Sequence, residues 1–532
     1  MMKMPEQIDR RDFLALCAAG ALPGLLAACQ GSSASANATP TAQSTRLPSP
    51  TPGRADWSEL ARSLQGTLVL PGSPQYSTAL QLFDPRFDAV QPAAIAYCAS
   101  PADVQAALAF ARRFNLLFTP RAGGHSYAGY STTTGLVLDV TRMSAVTVNG
   151  ETGTATIGAG ARLIDVYAAL AQHNLALPAG SCPSVGIAGQ TLGGGIGVLG
   201  RKFGLTSDNL LAAQVVVADG RVLTCDANHD PDLFWALRGG GGGNFGVVTS
   251  LTFQAHPVTS LSLFSLSWPW TASNAADVVE AWQAWAPQAP DELWSNCLLL
   301  ATSDKRSDPV VHVGGVYVGD VAPLNSLVQQ LTSRIGVAPA SRYAWSSGLL
   351  DAMLYEAGCK NLGACHLPSQ DPQGQLQRVA YGAKSDYFIT PLSRQGINIL
   401  VSEITRRQAT ATLGEGGIGL DAQGGAINRV AADATAFVHR DALFSAQYTA
   451  NWNASDPATI VATNRAWLTG IWQQMRPYAS GFAYQNYIDP DLSDWQHAYY
   501  GANLARLQRV KAAYDPKNLF HFAQSIPPVP GA

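Results

Sequence analysis

GSCPSVGIAGQTLGGGIGVLGRKFGLTSDNL, residues 180–210, is dense in glycine, and two shorter stretches of the same character flank it in the chain: PRAGGHSYAGYS (120–131) and RGGGGGNFGVVTSLTF (238–253). Glycine reaches positive φ without a side-chain clash and lets backbone amides approach an anion, so loops of this kind suit a pyrophosphate cradle. No Walker lysine loop is present, and no strand, GxGxxG, helix and acidic residue follow one another in Rossmann order; GLTSDNL stands where a nucleotide-binding helix should continue. A nicotinamide dehydrogenase is therefore the weaker nucleotide reading.

Around these segments strand-like and helix-like stretches alternate. GLVLDV (135–140), TATIGAG (154–160) and AAQVVVADGRVLTC (212–225), with a hairpin-type Asp219-Gly220 turn, read as strands. RLIDVYAALAQH (162–173) has helical apolar spacing. Between about 258 and 480 the glycine runs stop. There LFSLSWPW and PVVHVGGVYVG read as strands, and NAADVVEAWQAWA and ATIVATNRAWLTGIWQQM as helices. HAYYGANLARLQRVKAAY (497–514) reads as a terminal helix stopped by Pro516. The pattern is α+β, and 532 residues are too many for one core.

Composition narrows the function classes. Charged residues make up 13% of the chain, against roughly 25% in an average soluble domain. The balance of 34 basic and 37 acidic residues leaves a net charge of -3, with no basic field to attract nucleic acid. His229, His256 and His521 have no metal-ligand spacing with cysteine or carboxylate, so no metal site is expected.

The N-terminus reads as an address. Arg10 and Arg11, followed one residue later by Phe13 and Leu14, precede an apolar stretch of about fifteen residues, short of the ~20 of a spanning helix. The order resembles a Tat export signal, with a basic-ended Sec signal as the alternative. Leu26-Ala27-Ala28-Cys29 resembles a bacterial lipobox, which makes Cys29 the lipidated residue and residues 1–29 a Tat-type lipoprotein signal. Residues 30–55, rich in Ser, Thr, Ala and Pro, have too little apolar surface to fold and are expected to be a disordered stalk. The expected location is outside the cytoplasm, with membrane contact only through that anchor. Cys359 and Cys365 then lie where oxidation is allowed, so a disulfide and two free thiols are both open. Cys98, Cys225 and Cys297 read as buried thiols.

In this order, the three glycine segments resemble the flavin domain of the vanillyl-alcohol oxidase superfamily, with its PCMH-type FAD-binding fold, and specifically its berberine-bridge-enzyme-like branch. YQNYID (484–489), YYGANLARL (499–507) and YDPKNLFHFAQSIP (514–527) match the closing signature of that branch. The resemblance implies a discontinuous FAD-binding domain, residues 56–257 and 481–532, enclosing a substrate domain, 258–480, with an antiparallel sheet flanked by helices. It implies FAD bonded covalently to both His125 and Cys182. Arg121, Ala122, Gly123, Gly124 and Ser126 are placed by it around the pyrophosphate. Gly186, Ile187, Gly189, Gly194, Gly195 and Gly197, then Asp208 and Asn209, are expected to cradle more of the dinucleotide, with Val248, Tyr500 and Asn503 completing the cavity. Val185 matches the position where the family tunes oxygen access, and a small residue there favours an oxidase.

Oxidising an alcohol carbon requires a base for the hydroxyl proton while hydride moves to the flavin. The resemblance points to Tyr487 as that base, with Tyr484 and Asn486 flanking the substrate. A phenol ordinarily titrates near ~10, so Tyr487 needs neighbours that lower its pKa; an aromatic wall is its alternative role. Lys384 and Asp386 match a stretch of the substrate domain without a specific role, and His439 reads as structural. The expected partners are dioxygen, reduced to hydrogen peroxide, and a small-molecule or oligosaccharide alcohol. A flavin oxidase of amine or C–C bond-forming type, marked by a carboxylate base, and a catalytically silent surface-binding protein remain alternatives.

Overall fold

The computed structural model describes residues 55–529. Arg10, Arg11 and Cys29, on which the export and anchor readings rest, lie outside those residues, as does nearly all of the stalk.

The described chain opens on a four-stranded sheet of β1 (Thr67–Val69), β2 (Ala94–Tyr97), β3 (Phe118–Arg121) and β4 (Leu136–Asp139), in the order β1-β2-β4-β3. Strands β2 and β3 both run parallel to β4, which a crossover must connect. That crossover is the helix Pro101–Arg113, where Pro101 takes the first position and the Ser100 side chain accepts from the Asp103 amide at 3.3 Å. A five-stranded antiparallel sheet follows, built from β5 (Val146–Asn149), β6 (Thr154–Gly158), β8 (Leu210–Val216), β9 (Val222–Asp226) and β10 (Val247–Gln254), in the order β5-β6-β10-β8-β9. Two short strands, β7 (Leu175–Ala176) and β11 (His256–Pro257), pair beside it. Gly220 has φ +93° in the turn joining β8 to β9, as the Asp-Gly pair leads one to expect.

The third sheet is antiparallel and seven-stranded: β12 (Leu261–Trp268), β13 (Leu293–Ala301), β14 (Val310–Val318), β15 (Ser341–Ser347), β16 (Ala380–Phe388), β17 (Gly416–Ala422) and β18 (Phe444–Trp452), ordered β15-β12-β14-β13-β17-β18-β16. Side chains alternate across its two faces. Leu293, Cys297 and Leu299 of β13, Ile418 and Leu420 of β17, and Phe444, Ala446 and Tyr448 of β18 join the second hydrophobic core. That core is completed by the helices Ala272–Trp285, Val321–Ile335, Arg394–Ala409 and Ala458–Met475. The residues between them on the strands face the glycine segments.

Two details differ from the sequence pattern. The terminal helix is broken: Trp495–Tyr500 and Leu504–Tyr514 are separated at Gly501, whose φ of +45° interrupts the helical path. The segment from Leu349 to Cys365 lies within 258–480 in sequence, yet Leu349, Ala352, Met353, Ala357 and Cys365 pack into the first core with the first two sheets. Cys359 and Cys365 form a disulfide, which resolves the choice left open by their spacing. Cys98, Cys225 and Cys297 are buried thiols.

Candidate active site

The three glycine segments and the inner face of the third sheet enclose one cleft of about 400 Å³. The first segment enters it directly from β3. Arg121 is buried at the end of that strand with its Nε 2.5 Å from Asp139, and its Nη1 has no hydrogen-bond partner although it is shut away from solvent. Gly123 meets the second segment so closely that a Cβ there would come within 2.2 Å of the Gly186 amide, and a Cβ on Gly186 within 2.4 Å of the Gly123 amide. Only glycine at both positions lets the two backbones touch. The consequence is that His125 and Cys182, 57 positions apart in the chain, open into the same cleft.

The His125 ring stacks on Phe83 at 4.2 Å, and its Nε2 lies 3.0 Å from the Ser184 hydroxyl. Desolvation, with a smaller contribution from Arg162, lowers its pKa to about 3, so the imidazole is neutral. Cys182 is a half-buried thiol outside the disulfide. The third segment turns through Gly241 (φ +86°) and Gly243 (φ +76°), and the Gly241 amide donates to Leu192 O at 2.8 Å. The C-terminal segment fastens this run: the Tyr500 hydroxyl donates to Gly240 O at 3.1 Å, and the Ile526 amide donates to Asn244 Oδ1 at 2.9 Å.

Of the residues expected around the cofactor, Arg121, Ala122, Gly123, Gly124, His125, Ser126, Cys182, Val185, Gly186, Gly189, Gly197, Val248 and Tyr500 line the cleft. Ile187, Gly194, Gly195, Asp208, Asn209 and Asn503 do not. Ile187 is packed in the first core. Gly194 and Gly195 sit at positive φ where a Cβ would meet Phe437 and Thr206. Asp208 is held by the Arg440 guanidinium at 2.7 and 2.8 Å, and Asn209 Nδ2 donates to Phe203 O and Leu205 O. Asn503 Nδ2 donates to Ala432 O at 2.7 Å. These residues shape the loops behind the cleft.

The tyrosine motif is also reassigned in part. Tyr484, Asn486 and Tyr487 all border the cleft. The Tyr484 hydroxyl, however, accepts from the Gly195 and Ile196 amides at 3.0 and 3.1 Å and from Asn486 Nδ2 at 2.8 Å. Asn486 Nδ2 also donates to Gln190 O at 2.8 Å. Both side chains are engaged in bracing the 190–196 turn. Tyr487 stacks on Tyr127 at 5.3 Å, and burial, followed by the charges of Tyr127 and Asp421, drives its phenol well above the ordinary value. Nothing there makes it a ready base.

A carboxylate missed in the sequence does better. Asp421 of β17 faces the cleft beside Asn296 of β13, its cross-strand partner. Burial, with the charge of Glu356 second, raises its pKa to about 7, close to the value at which a general base is most effective at neutral pH. The clue was a lone acid on a glycine-rich, apolar strand, GGIGLDA. Trp294, Leu298 and Leu300 of β13 and Gln447 and Thr449 of β18 complete this wall, and Gln447 Nε2 donates to the Tyr127 hydroxyl at 2.9 Å. Lys384 and Asp386 lie elsewhere, paired with Asp489 at 2.6 Å and Arg476 at 2.5 Å. His439 is buried outside the cleft, stacked on Tyr387 at 4.3 Å.

Comparison with known proteins fits this geometry. Residues 92–226 match the family described as FAD binding domain, and residues 483–527 the family described as Berberine and berberine like. The FAD-linked oxidoreductase YgaK of Bacillus subtilis (strain 168) is 35% identical over 471 residues, covering 88% of this chain and 98% of its own. The chain belongs to the berberine-bridge-enzyme-like family of FAD-linked oxidoreductases. Among solved structures, Physcomitrella patens BBE-like 1 superposes with a TM-score of 0.80 at 32% identity, covering 89% of this chain and 99% of that one. A chitooligosaccharide oxidase superposes with a TM-score of 0.79 at 28% identity, covering 89% and 100%.

The residues present suit FAD. The unpartnered, buried Arg121 Nη1 and the glycine cradle offer donors to a pyrophosphate, and the neutral His125 and the thiol of Cys182 offer nucleophiles.

Proposed function

We propose that this oxidoreductase is an oxidase acting on the CH–OH group of an uncharged, bulky alcohol or oligosaccharide, with FAD bonded to both His125 and Cys182. The observation that carries the reading is the Gly123–Gly186 contact, which brings those two nucleophiles to one cleft opposite a carboxylate of the third sheet. When bound, FAD supplies the hydride acceptor and returns the electrons to dioxygen, giving hydrogen peroxide. Val185, small and on the cleft wall, supports the oxidase reading.

The protein's own part is binding, orientation and proton removal. Asp421 takes the hydroxyl proton of the substrate, and Asn296, whose Oδ1 is buried without a partner, accepts a hydrogen bond from a second substrate donor. Tyr127 and Tyr487, stacked on each other, and Trp294 supply flat apolar surface to a ring. The sole cation among the cleft-lining residues, Arg121, is engaged by Asp139, so a substrate carboxylate would meet the carboxyl groups of Asp421 and Glu356. The twin arginine and Cys29 support a lipid-anchored enzyme outside the cytoplasm.

The test is to purify the full chain after flavin-supplemented expression, denature it in acid or detergent, and weigh the coloured peptides. The expected result is flavin retained on peptides containing His125 and Cys182, with peroxide released from alcohols or sugars in a coupled screen. Freely released FAD rejects the double attachment, and a colourless protein rejects the oxidase. Asp421 also favours a second reading, oxidation of an amine next to a carboxylate base; peroxide from amines but from no alcohol would select it.

A further inference from the structure

His125 and Ser184 belong to different glycine segments, and the hydroxyl of Ser184 meets the imidazole at Nε2, 3.0 Å away. Ser184 is 2% exposed, and the stretch that carries it is fixed on both sides. Pro183 O accepts from the Ile164 amide at 3.1 Å and Val185 O from the Leu163 amide at 3.0 Å, both in the first turn of helix Leu163–Ala171. On the other side of the contact, the face of the His125 ring lies on Phe83 with the planes 20° apart, and the Phe83 amide donates to Gly124 O at 3.1 Å. A stacked face leaves the ring one freedom. The terminal torsion of histidine has two broad wells about half a turn apart, and a flip between them puts Cε1 where Nε2 was and Cδ2 where Nδ1 was, with the ring still flat on Phe83. The Ser184 hydroxyl tells the two apart, because a ring carbon is no hydrogen-bond partner for it.

We propose that Ser184 is the positioning residue for covalent attachment of the flavin at His125: it holds Nε2, so that Nδ1 is the nitrogen that forms the bond. The inference rests on the double attachment proposed above. In the step, Nδ1 and a methyl carbon of the flavin ring system form a C–N bond, while one C–H bond of that methyl and the Nε2–H bond break. The electron pair released reduces the FAD, and dioxygen takes up that pair with the two protons as hydrogen peroxide. A hydroxyl suits both ends of this step: it accepts from Nε2–H before the bond forms and donates to the bare Nε2 after it. A carboxylate or an amide nitrogen could do only one of the two. The imidazole is neutral at the outset, as the step requires.

The full chain is produced in a riboflavin-starved host and given FAD in air. Samples taken over time are denatured in acid and digested, and the flavin on the His125 and Cys182 peptides is weighed separately, the bond at Cys182 being the internal control. In Ser184→Ala and Ser184→Gly the bond at His125 is expected to form about 5-fold more slowly than in the wild type, with the bond at Cys182 forming at the wild-type rate. Ser184→Thr, which keeps the hydroxyl, should restore the rate at His125. A purely structural Ser184 would slow both bonds alike. That result, or an unchanged rate at His125 in either hydroxyl-free variant that folds, overturns the proposal. So does a wild-type linkage through Nε2, read by proton NMR of the flavin peptide, where Nδ1 is expected. A wild type that never bonds flavin at His125 overturns the double attachment and this inference with it, whereas a wild type bonded at both residues confines any failure to Ser184.

Discussion

Asp421 is costly to the fold as well as useful to the site. Burial raises its pKa from 3.8 to about 7, so folding favours the protonated carboxyl. Its contribution to stability is complete below about pH 4 and is lost as the pH rises through about 7. Asp421→Asn keeps the shape and never ionises. The variant is expected to melt a few degrees above wild type at pH 8 and level with it at pH 4, while flavin reduction by substrate falls by about 100-fold or more. Melting curves at both pH values and stopped-flow reduction check the pair of effects. An Asn variant that is no more stable at pH 8 would mean that Asp421 ionises without strain, and its role as a tuned base would go with it.

At the scale of elements, the strap after helix Leu349–Ala357 is held at several points. The disulfide closes its start, His366 Nε2 lies 3.0 Å from Asp165 on helix Leu163–Ala171, and Arg378 binds both oxygens of Asp88 at its end. The Asp165 carboxylate raises the His366 pKa, so this tie is complete below about pH 6.5 and is lost as the pH rises through the folded value. Hydrogen exchange of residues 366–376, corrected for intrinsic rates, should be faster at pH 9 than at pH 6, and His366→Gln should remove that difference. Equal protection at both pH values in the wild type would assign the hold to the disulfide and Arg378. The strap also marks where the sequence stops being legible. The glycine segments declare themselves because their function is local: Gly123, Gly186 and Gly241 are needed by backbone contacts and positive φ within or between short motifs. His125 and Cys182 are readable from the same motifs. Asp421 and Glu356 reach one cleft only through tertiary structure, and on an isolated helix Glu356 looks like any solvated acid. Asp208, Asn209 and Asn503 mislead for the opposite reason: they sit beside the motifs, but Arg440 and backbone carbonyls use their polar atoms.

For the molecule as a whole, the site depends on how two cores are held face to face, and Arg201 does much of this. It leaves the second glycine segment, in the short helix Gly200–Phe203, and is 1% exposed. Its Nε donates to Leu293 O at 2.8 Å, Nη2 to Ala289 O at 2.6 Å, and Nη1 to Pro287 O at 3.3 Å and to Gln423 O. All four acceptors belong to the other core's strands and loops, and Gln423 lies two residues beyond Asp421. A planar fork of donors can serve four fixed carbonyls in a way that a lysine ammonium cannot. Lys202, paired with Glu292 at 2.5 Å, crosses the same boundary but is partly exposed and screened by water. Arg201→Lys should therefore leave carbonyls buried without donors, at about 1–3 kcal/mol each, and lower the melting temperature much more than Lys202→Ala does. Because the glycine cradle, His125 and Cys182 remain on one side of the break, the variant should still carry its flavin. With the strand of Asp421 released on the other side, its reduction rate should fall. Flavin content, melting temperature and reduction rate of the two variants separate the possibilities: loss of flavin would show that the cradle itself leans on Arg201, whereas a destabilised variant with an unchanged reduction rate would show that β17 holds Asp421 in place without the clamp.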